Sequence, residues 1–386
     1  MSPLLDRRRF LLTTLAVPFG AAGCADPAPP APAAGSGGVT GGAPGAAFGG
    51  ASGRSTSSTS GASAAPGDSG APGAPSASAG AGDAQAPEPG EPAEAAPGEP
   101  GAATAQTVSN PRATGVPPSS ELDIFDLQVA GDSTLGRRFL MCVPRHLKRG
   151  QKVPVVVLLH GLGETGDQRL GAYAWVERYG LVTAYERLRR APIARTGKRR
   201  EWTDARLAEV NASLTATPFA GLCLVCPYTP NVHKLPNPPA SLDAYAKWLT
   251  EVVLPRARAD APVHTDPART AIDGCSLGGH VALEVFLRKP DVFGAFGGVQ
   301  SAFSEARAPA YADRLSAALT RTPRPLHLLT SEGDPFLPGN KKLAATLTKK
   351  GHPCDLRVLP GPHDQPWLRE AGTIEMLLWH DRRKKT

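Results

Sequence analysis

Ile272-Asp273-Gly274-Cys275-Ser276-Leu277-Gly278-Gly279-His280 is the stretch on which the fold of this chain is decided. The residues before it, Arg269-Thr270-Ala271-Ile272, read as a short buried strand, and Val281–Leu287 after it read as a helix with an apolar face. Between them, Gly-x-Ser-x-Gly describes a sharp strand-to-helix turn that holds the serine strained, with its hydroxyl projecting above the sheet. Flanking glycines let strand and helix approach closely enough for that turn. In a chain with 42 glycines the pattern also describes a purely structural turn, so its surroundings have to decide.

Strand-like runs occur on both sides of this turn, at Ile124–Val129, Phe139–Val143, Val155–Leu159, Leu222–Cys226, Thr270–Ile272, Ala295–Val299, Leu326–Thr330 and Leu356–Leu359. Helical stretches include Leu242–Arg258, Val281–Arg288, Lys341–Lys350 and Trp367–Trp379. The first two strands follow each other closely and suggest an antiparallel start. From Val155 onward strand and helix alternate, which predicts an α/β domain with a mostly parallel central sheet covered by helices on both faces. That domain spans residues 121–386 and is large enough to bury a sizeable core.

The chain before it has a different character. From Ala25 to Ser120 it is nearly all Ala, Gly, Pro, Ser and Thr, without Leu or Ile and with one aromatic residue, Phe48. Such a segment cannot bury enough apolar surface to offset its ordering entropy, so residues 25–120 are expected to form a disordered tether. Residues 1–24 read as an address. Arg7-Arg8-Arg9-Phe10-Leu11-Leu12 is followed by a short apolar run and then Ala21-Ala22-Gly23-Cys24, the order of an export signal. The paired arginines resemble a twin-arginine signal and Ala-Ala-Gly-Cys a bacterial lipobox, although its first position is more often Leu. On that resemblance Cys24 becomes the lipidated mature N-terminus, and the protein sits in the cell envelope, anchored on the periplasmic side or at the outer membrane.

The formal charge of +7 is unevenly spread. The first 120 residues carry five arginines against eight acidic residues, so the globular part holds all of the positive excess. Clusters stand at Lys198-Arg199-Arg200 and Arg382-Arg383-Lys384-Lys385. No aromatic interleaving or nucleic-acid motif accompanies them; they read as a solvated basic face, with affinity for anionic envelope polymers or lipid heads as the alternative. Cys142, Cys223, Cys226, Cys275 and Cys354 are an odd set in a compartment that permits disulfides. Cys223-x-x-Cys226 lies in a strand, where positions three apart face opposite ways, and reads as core packing, not a metal or redox pair.

A serine hydroxyl attacks only if a neighbouring base takes its proton, and that base needs a third group to fix its tautomer. On a doubly wound sheet these partners come from loops after later strands, in the order serine, acid, histidine. The loop Ser331-Glu332-Gly333-Asp334-Pro335 supplies Asp334 as the acid, with Glu332 as alternate. Pro360-Gly361-Pro362-His363-Asp364 supplies His363 as the base, with Asp364 as a further alternate acid. His352 precedes its strand, His327 lies within one and His280 opens the helix after the turn, so none of these competes well. The developing oxyanion needs N–H donors. The Leu277 amide follows the nucleophile, and the loop His160-Gly161-Leu162-Gly163-Glu164 supplies a second, the Leu162 amide. His160 itself is expected to support that loop.

These residues resemble the α/β-hydrolase superfamily, and within it the esterase branch that includes esterase D-like and feruloyl esterase-like proteins. The resemblance rests on Val155–Gly163, Gly274–His280, Lys289-Pro290-Asp291-Val292-Phe293 and Gly361-Pro362-His363-Asp364, across about residues 122–380. It implies an α/β-hydrolase fold with Ser276, Asp334 and His363 as triad, no metal or organic cofactor, and a small-molecule or polymer-linked ester as substrate cleaved through an acyl-enzyme. Acyl transfer or peptide hydrolysis on the same triad, or a non-catalytic envelope-binding protein on this scaffold, are the alternatives. The segment Tyr173 to Ala220 departs from the family pattern; with Tyr228–Pro239 it is expected to shape the substrate entrance.

Overall fold

In a computed structural model, residues 110–383 are described. The export signal, Cys24 and the tether up to residue 109 lie outside the described residues.

Eight strands form one sheet: β1 (Leu122–Gln128), β2 (Arg138–Pro144), β3 (Val155–Leu159), β4 (Cys223–Pro227), β5 (Thr270–Gly274), β6 (Ala295–Val299), β7 (Leu326–Gly333) and β8 (Cys354–Pro362). Their spatial order is β1-β2-β4-β3-β5-β6-β7-β8. β1 pairs antiparallel with β2 and β2 with β4, and every other neighbouring pair is parallel. This is the α/β architecture expected from the strand–helix alternation. β3, β4, β5 and β6 are buried at every position, because a parallel strand has helices over both of its faces.

Ten helices complete the domain: α1 (Gln168–Glu177), α2 (Leu181–Arg189), α3 (Asp204–Ala216), α4 (Pro238–Trp248), α5 (Leu254–Asp260), α6 (Leu277–Arg288), α7 (Ala308–Arg321), α8 (Leu337–Lys349), α9 (Gln365–Trp367) and α10 (Thr373–Arg382), counted among the described residues. α4 to α8 pack on one face, with Leu242, Phe286, Leu315 and Leu343 in its core. α1, α2, α3 and α10 cover the other, around Trp175, Tyr185, Leu214 and Leu377. Two helices predicted from sequence contain a wide turn, at Leu249–Val253 between α4 and α5 and at Leu368–Gly372 between α9 and α10. Cys223 and Cys226 lie on opposite faces of β4, and all five cysteines of the domain are free thiols.

The packed region starts earlier than Glu121. Ala113 N–H donates to the Ile124 carbonyl and Asp126 N–H to the Pro111 carbonyl, both at 2.9 Å, while Arg112 reaches Asp123 at 2.6 Å. Residues 110–113 thus cover the outer edge of β1. Backbone pairing of this kind satisfies an edge strand without requiring apolar side chains, so composition gave no sign of it.

Candidate active site

The Gly-Cys-Ser-Leu-Gly turn joins β5 to α6 as its sequence predicts. Ser276 has φ 54° and ψ −119°, a conformation that a non-glycine residue holds only when its surroundings over-determine it. They do so here. Ser276 N–H donates to the Val299 carbonyl at 2.9 Å and Ala302 N–H to the Ser276 carbonyl at 2.9 Å, so the end of β6 pins the turn from both sides. The two motif glycines are close-approach positions. A Cβ on Gly274 would lie 2.4 Å from the Gly278 oxygen, and one on Gly278 would lie 2.3 Å from the Leu159 oxygen.

His363 follows β8, and its Nε2 lies 3.1 Å from Ser276 Oγ. Its Nδ1 lies 2.9 Å from Asp334 Oδ1, in the turn after β7. The Asp334 carboxylate is buried and also accepts from Thr330 Oγ1 at 2.5 Å and from the Phe336 N–H at 2.9 Å. Three donors offset the cost of burying the charge. Because a carboxylate only accepts, Nδ1 carries the imidazole proton and Nε2 is left to accept from the serine. The alternate acids are placed elsewhere: Glu332 is exposed, and Asp364 caps the Trp367 N–H at 2.8 Å and pairs with Arg199 at 2.9 Å.

The other histidines take structural positions. His160 is fully buried; its Nε2 accepts from the Thr229 N–H at 2.8 Å, so its Nδ1–H donates to the Gly161 carbonyl at 2.9 Å. Burial holds its pKa down to about 4, which keeps it neutral and fixes the loop after β3. His280 lies against Tyr311 and Glu284, also pushed down to about 4 chiefly by burial. His327 stacks on Trp379 inside the core, and His352 bonds Ser316.

Two groups at this site were not readable from sequence. Glu164 is buried, and its carboxylate accepts from the Tyr179 hydroxyl and from Gln365 Nε2 (3.1 Å). The same Tyr179 oxygen accepts the Gly161 N–H at 3.1 Å. The loop after β3 is therefore tied to the loop that carries His363, and Gly161 is held against Ser276: a Cβ there would come 3.6 Å from the serine Cβ. Gln365 and Glu164 are 201 residues apart, and nothing local marks Tyr179 as a partner of either. With Gly161 N–H engaged, the amides of Leu277 and Leu162 remain as first residues of their helical turns, where no intrahelical acceptor exists. A cavity of about 190 Å³ opens over Ser276, between Leu162, Tyr179, Gln300, His363 and Leu368.

Residues 233–371 match the family described as putative esterase. The matched segment contains Ser276, Asp334 and His363. Among solved structures, a ferulic acid esterase is similar at 19% identity with a TM-score of 0.51, over 68% of this chain and 99% of that one. An S-formylglutathione hydrolase from Staphylococcus aureus is similar at 13% identity with a TM-score of 0.47, over 68% and 98%. A ferulic acid esterase from Anaeromyces mucronatus is similar at 16% identity with a TM-score of 0.45, over 71% and 93%. No curated protein sequence matches the chain. The chain has the α/β-hydrolase fold, and within it residues 233–371 carry the match to the putative-esterase model.

Proposed function

We propose that the chain cleaves carboxylic esters through an acyl-enzyme on Ser276, with His363 as general base and Asp334 as its orienting acid. The observation that carries this is His363 bridging Ser276 Oγ at 3.1 Å and Asp334 Oδ1 at 2.9 Å. In the first half-reaction His363 Nε2 takes the hydroxyl proton as Oγ bonds to the ester carbonyl carbon. The resulting oxyanion accepts from the Leu277 and Leu162 amides. Collapse breaks the bond to the alcohol, which leaves with the proton from Nε2. A water molecule then repeats the sequence on the acyl-enzyme and releases the acid. The imidazolium formed in each half is stabilised by Asp334.

The test uses short p-nitrophenyl esters and methyl ferulate, with a serine-directed fluorophosphonate as label. Turnover and labelling of Ser276 are expected, both lost in Ser276→Ala. In Asp334→Asn, kcat should fall by about 10⁴-fold through loss of the productive tautomer. A folded protein that neither labels nor turns over any ester overturns the proposal.

We further propose that the protein is exported and lipid-anchored through Cys24. What supports this is the order of basic, apolar and small residues before Cys24 and the low-complexity stretch after it. Among the described residues no helix is long and apolar enough to cross a membrane. Metabolic labelling with a radioactive fatty acid, lost in Cys24→Ala, checks it; an unlabelled protein refutes it.

A further inference from the structure

The basic run Lys198-Arg199-Arg200 lies between α2 and α3, beside the loop that carries His363. A cleft of about 680 Å³ opens there, walled by Arg195, Lys198, Arg199, Arg200 and Pro360. Two of its cations are neutralised: Arg195 reaches Asp204 at 2.6 Å, and Arg199 pairs with Asp364 and with buried Glu201. Lys198 and Arg200 are exposed and make neither hydrogen bond nor ion pair with any described residue.

The position of this charge matters more than its amount. Asp364 immediately follows His363 and lines the cavity over Ser276, while its Arg199 partner lines the basic cleft. Arg199 also lines a neighbouring groove of about 310 Å³ together with Arg369. Pro360 belongs to the same strand, β8, whose end carries His363. The Asp364–Arg199 pair thus has one partner in the lining of the catalytic cavity and the other in the lining of the basic cleft. An ester whose carbonyl sits at Ser276 and which extends past Asp364 enters a space walled by cations, two of them free. Asp204 also lines the cleft, so its wall holds four cations against one carboxylate; a concave wall with such a surplus of one sign focuses potential and raises the local concentration of the opposite charge. A guanidinium beside an ammonium suits a carboxylate or a phosphate oxygen set.

We propose that this cleft is a subsite for an anionic group, a carboxylate or a phosphate, carried by the ester substrate. The proposal rests on the hydrolase reading above and narrows its substrate to acidic esters.

The experiment compares three aryl acetates of similar size: 4-acetoxybenzoate, 4-acetoxyphenyl phosphate and the neutral methyl 4-acetoxybenzoate. A second pair, 4-nitrophenyl hemiglutarate and 4-nitrophenyl pentanoate, places the charge on the acyl side. The readout is the ratio of kcat/KM for an anionic ester to that for its neutral counterpart. In the wild-type protein at least one ratio should exceed unity by about tenfold, the value of one well-placed charge-assisted contact. Lys198→Ala/Arg200→Ala should bring that ratio near one, Lys198→Glu/Arg200→Glu should invert it, and raising the ionic strength from roughly 0.05 to 0.5 M should shrink it. Whichever of the carboxylate and phosphate arms shows the larger ratio assigns the group. Ratios at or below one in the wild-type protein, or ratios unmoved by the substitutions, overturn the subsite. Calorimetric binding of 4-acetoxybenzoate and its methyl ester to Ser276→Ala keeps the two readings distinguishable. Preferential binding of the acid without turnover by the wild-type protein overturns the hydrolase reading alone. Turnover without anion preference overturns the subsite alone.

Discussion

Gly278→Ala is the smallest change that should disable this site without touching a reacting group. A Cβ at this position would stand 2.3 Å from the Leu159 oxygen, 2.5 Å from the His160 oxygen and 2.6 Å from the Leu159 carbonyl carbon. Ordinary van der Waals contact begins at 3.4 Å, so the end of β3 and the start of α6 must separate by about 1 Å. Every atom in the way is backbone, so no side chain can swing aside to absorb the overlap. Overpacking of this kind costs about 1–3 kcal/mol of stability. The functional cost should be larger in proportion, because the displaced strand end leads directly into Gly161 and Leu162 while the displaced helix start is Leu277. Both amides assigned to the oxyanion move apart, and a misplacement of about 1 Å costs roughly 10²-fold in rate, equivalent to about 2.7 kcal/mol of barrier. The assay is kcat and KM on p-nitrophenyl acetate beside urea unfolding, with Gly166→Ala as the control. Gly166 has open space around a Cβ and no positive φ, so its variant should retain wild-type stability. The expected pattern is kcat down with KM little changed in Gly278→Ala. Wild-type kcat in Gly278→Ala would refute the packing argument, whatever its stability, because the loop and the helix start would then not be coupled through that contact.

Further outcomes follow from the same geometry. Tyr179→Phe removes the hydroxyl that accepts from Gly161 and donates to Glu164, leaving a buried N–H without its partner at a cost of about 1–3 kcal/mol. Steady-state kinetics should show kcat about tenfold to hundredfold lower with labelling by a fluorophosphonate slowed in parallel; an unchanged kcat would show that Tyr179 does not position the loop. Acid should destabilise the fold before the carboxylates titrate. His160 and His280 have folded pKa values near 4 and His327 one well below its usual 6.5, all chiefly through burial. Between pH 6.5 and 4 the unfolded chain therefore binds more protons at these sites than the folded one. Stability is full above pH 6.5 and falls with pH through this window, by up to about 1.4 kcal/mol per pH unit for each histidine. In the buried Asp273–His380 pair burial pushes the aspartate up and the histidine down, so the two contributions oppose each other in this window. Urea midpoints measured from pH 7 to 5 should decline; a flat profile would mean that these histidines are not held neutral.

Helix–strand alternation, the turn at Ser276 and the order serine, acid, histidine are properties of short stretches of chain and are legible before any of them is folded. Periodicity in Val281–Leu287 and the continuous apolar run Val155–Leu159 state which residues must be covered, and a serine between close-packing glycines states the turn. The choice of acid was less local: Glu332, Asp334 and Asp364 all sit in suitable loops, and only the tertiary structure brought Asp334 to 2.9 Å from His363 while turning Asp364 toward Arg199. The same holds for the tie from Glu164 to Tyr179 and Gln365, and for the cover that residues 110–113 lay on the edge of β1. A hydrogen bond between groups far apart in the chain depends on two separate elements being docked. Nothing in either stretch alone encodes that docking, because its free energy comes from apolar burial spread over the whole sheet. Local chemistry thus named the candidate nucleophile and the candidates for its partners; packing decided which of them meet and, among the described residues, left Lys198 and Arg200 unpaired beside them.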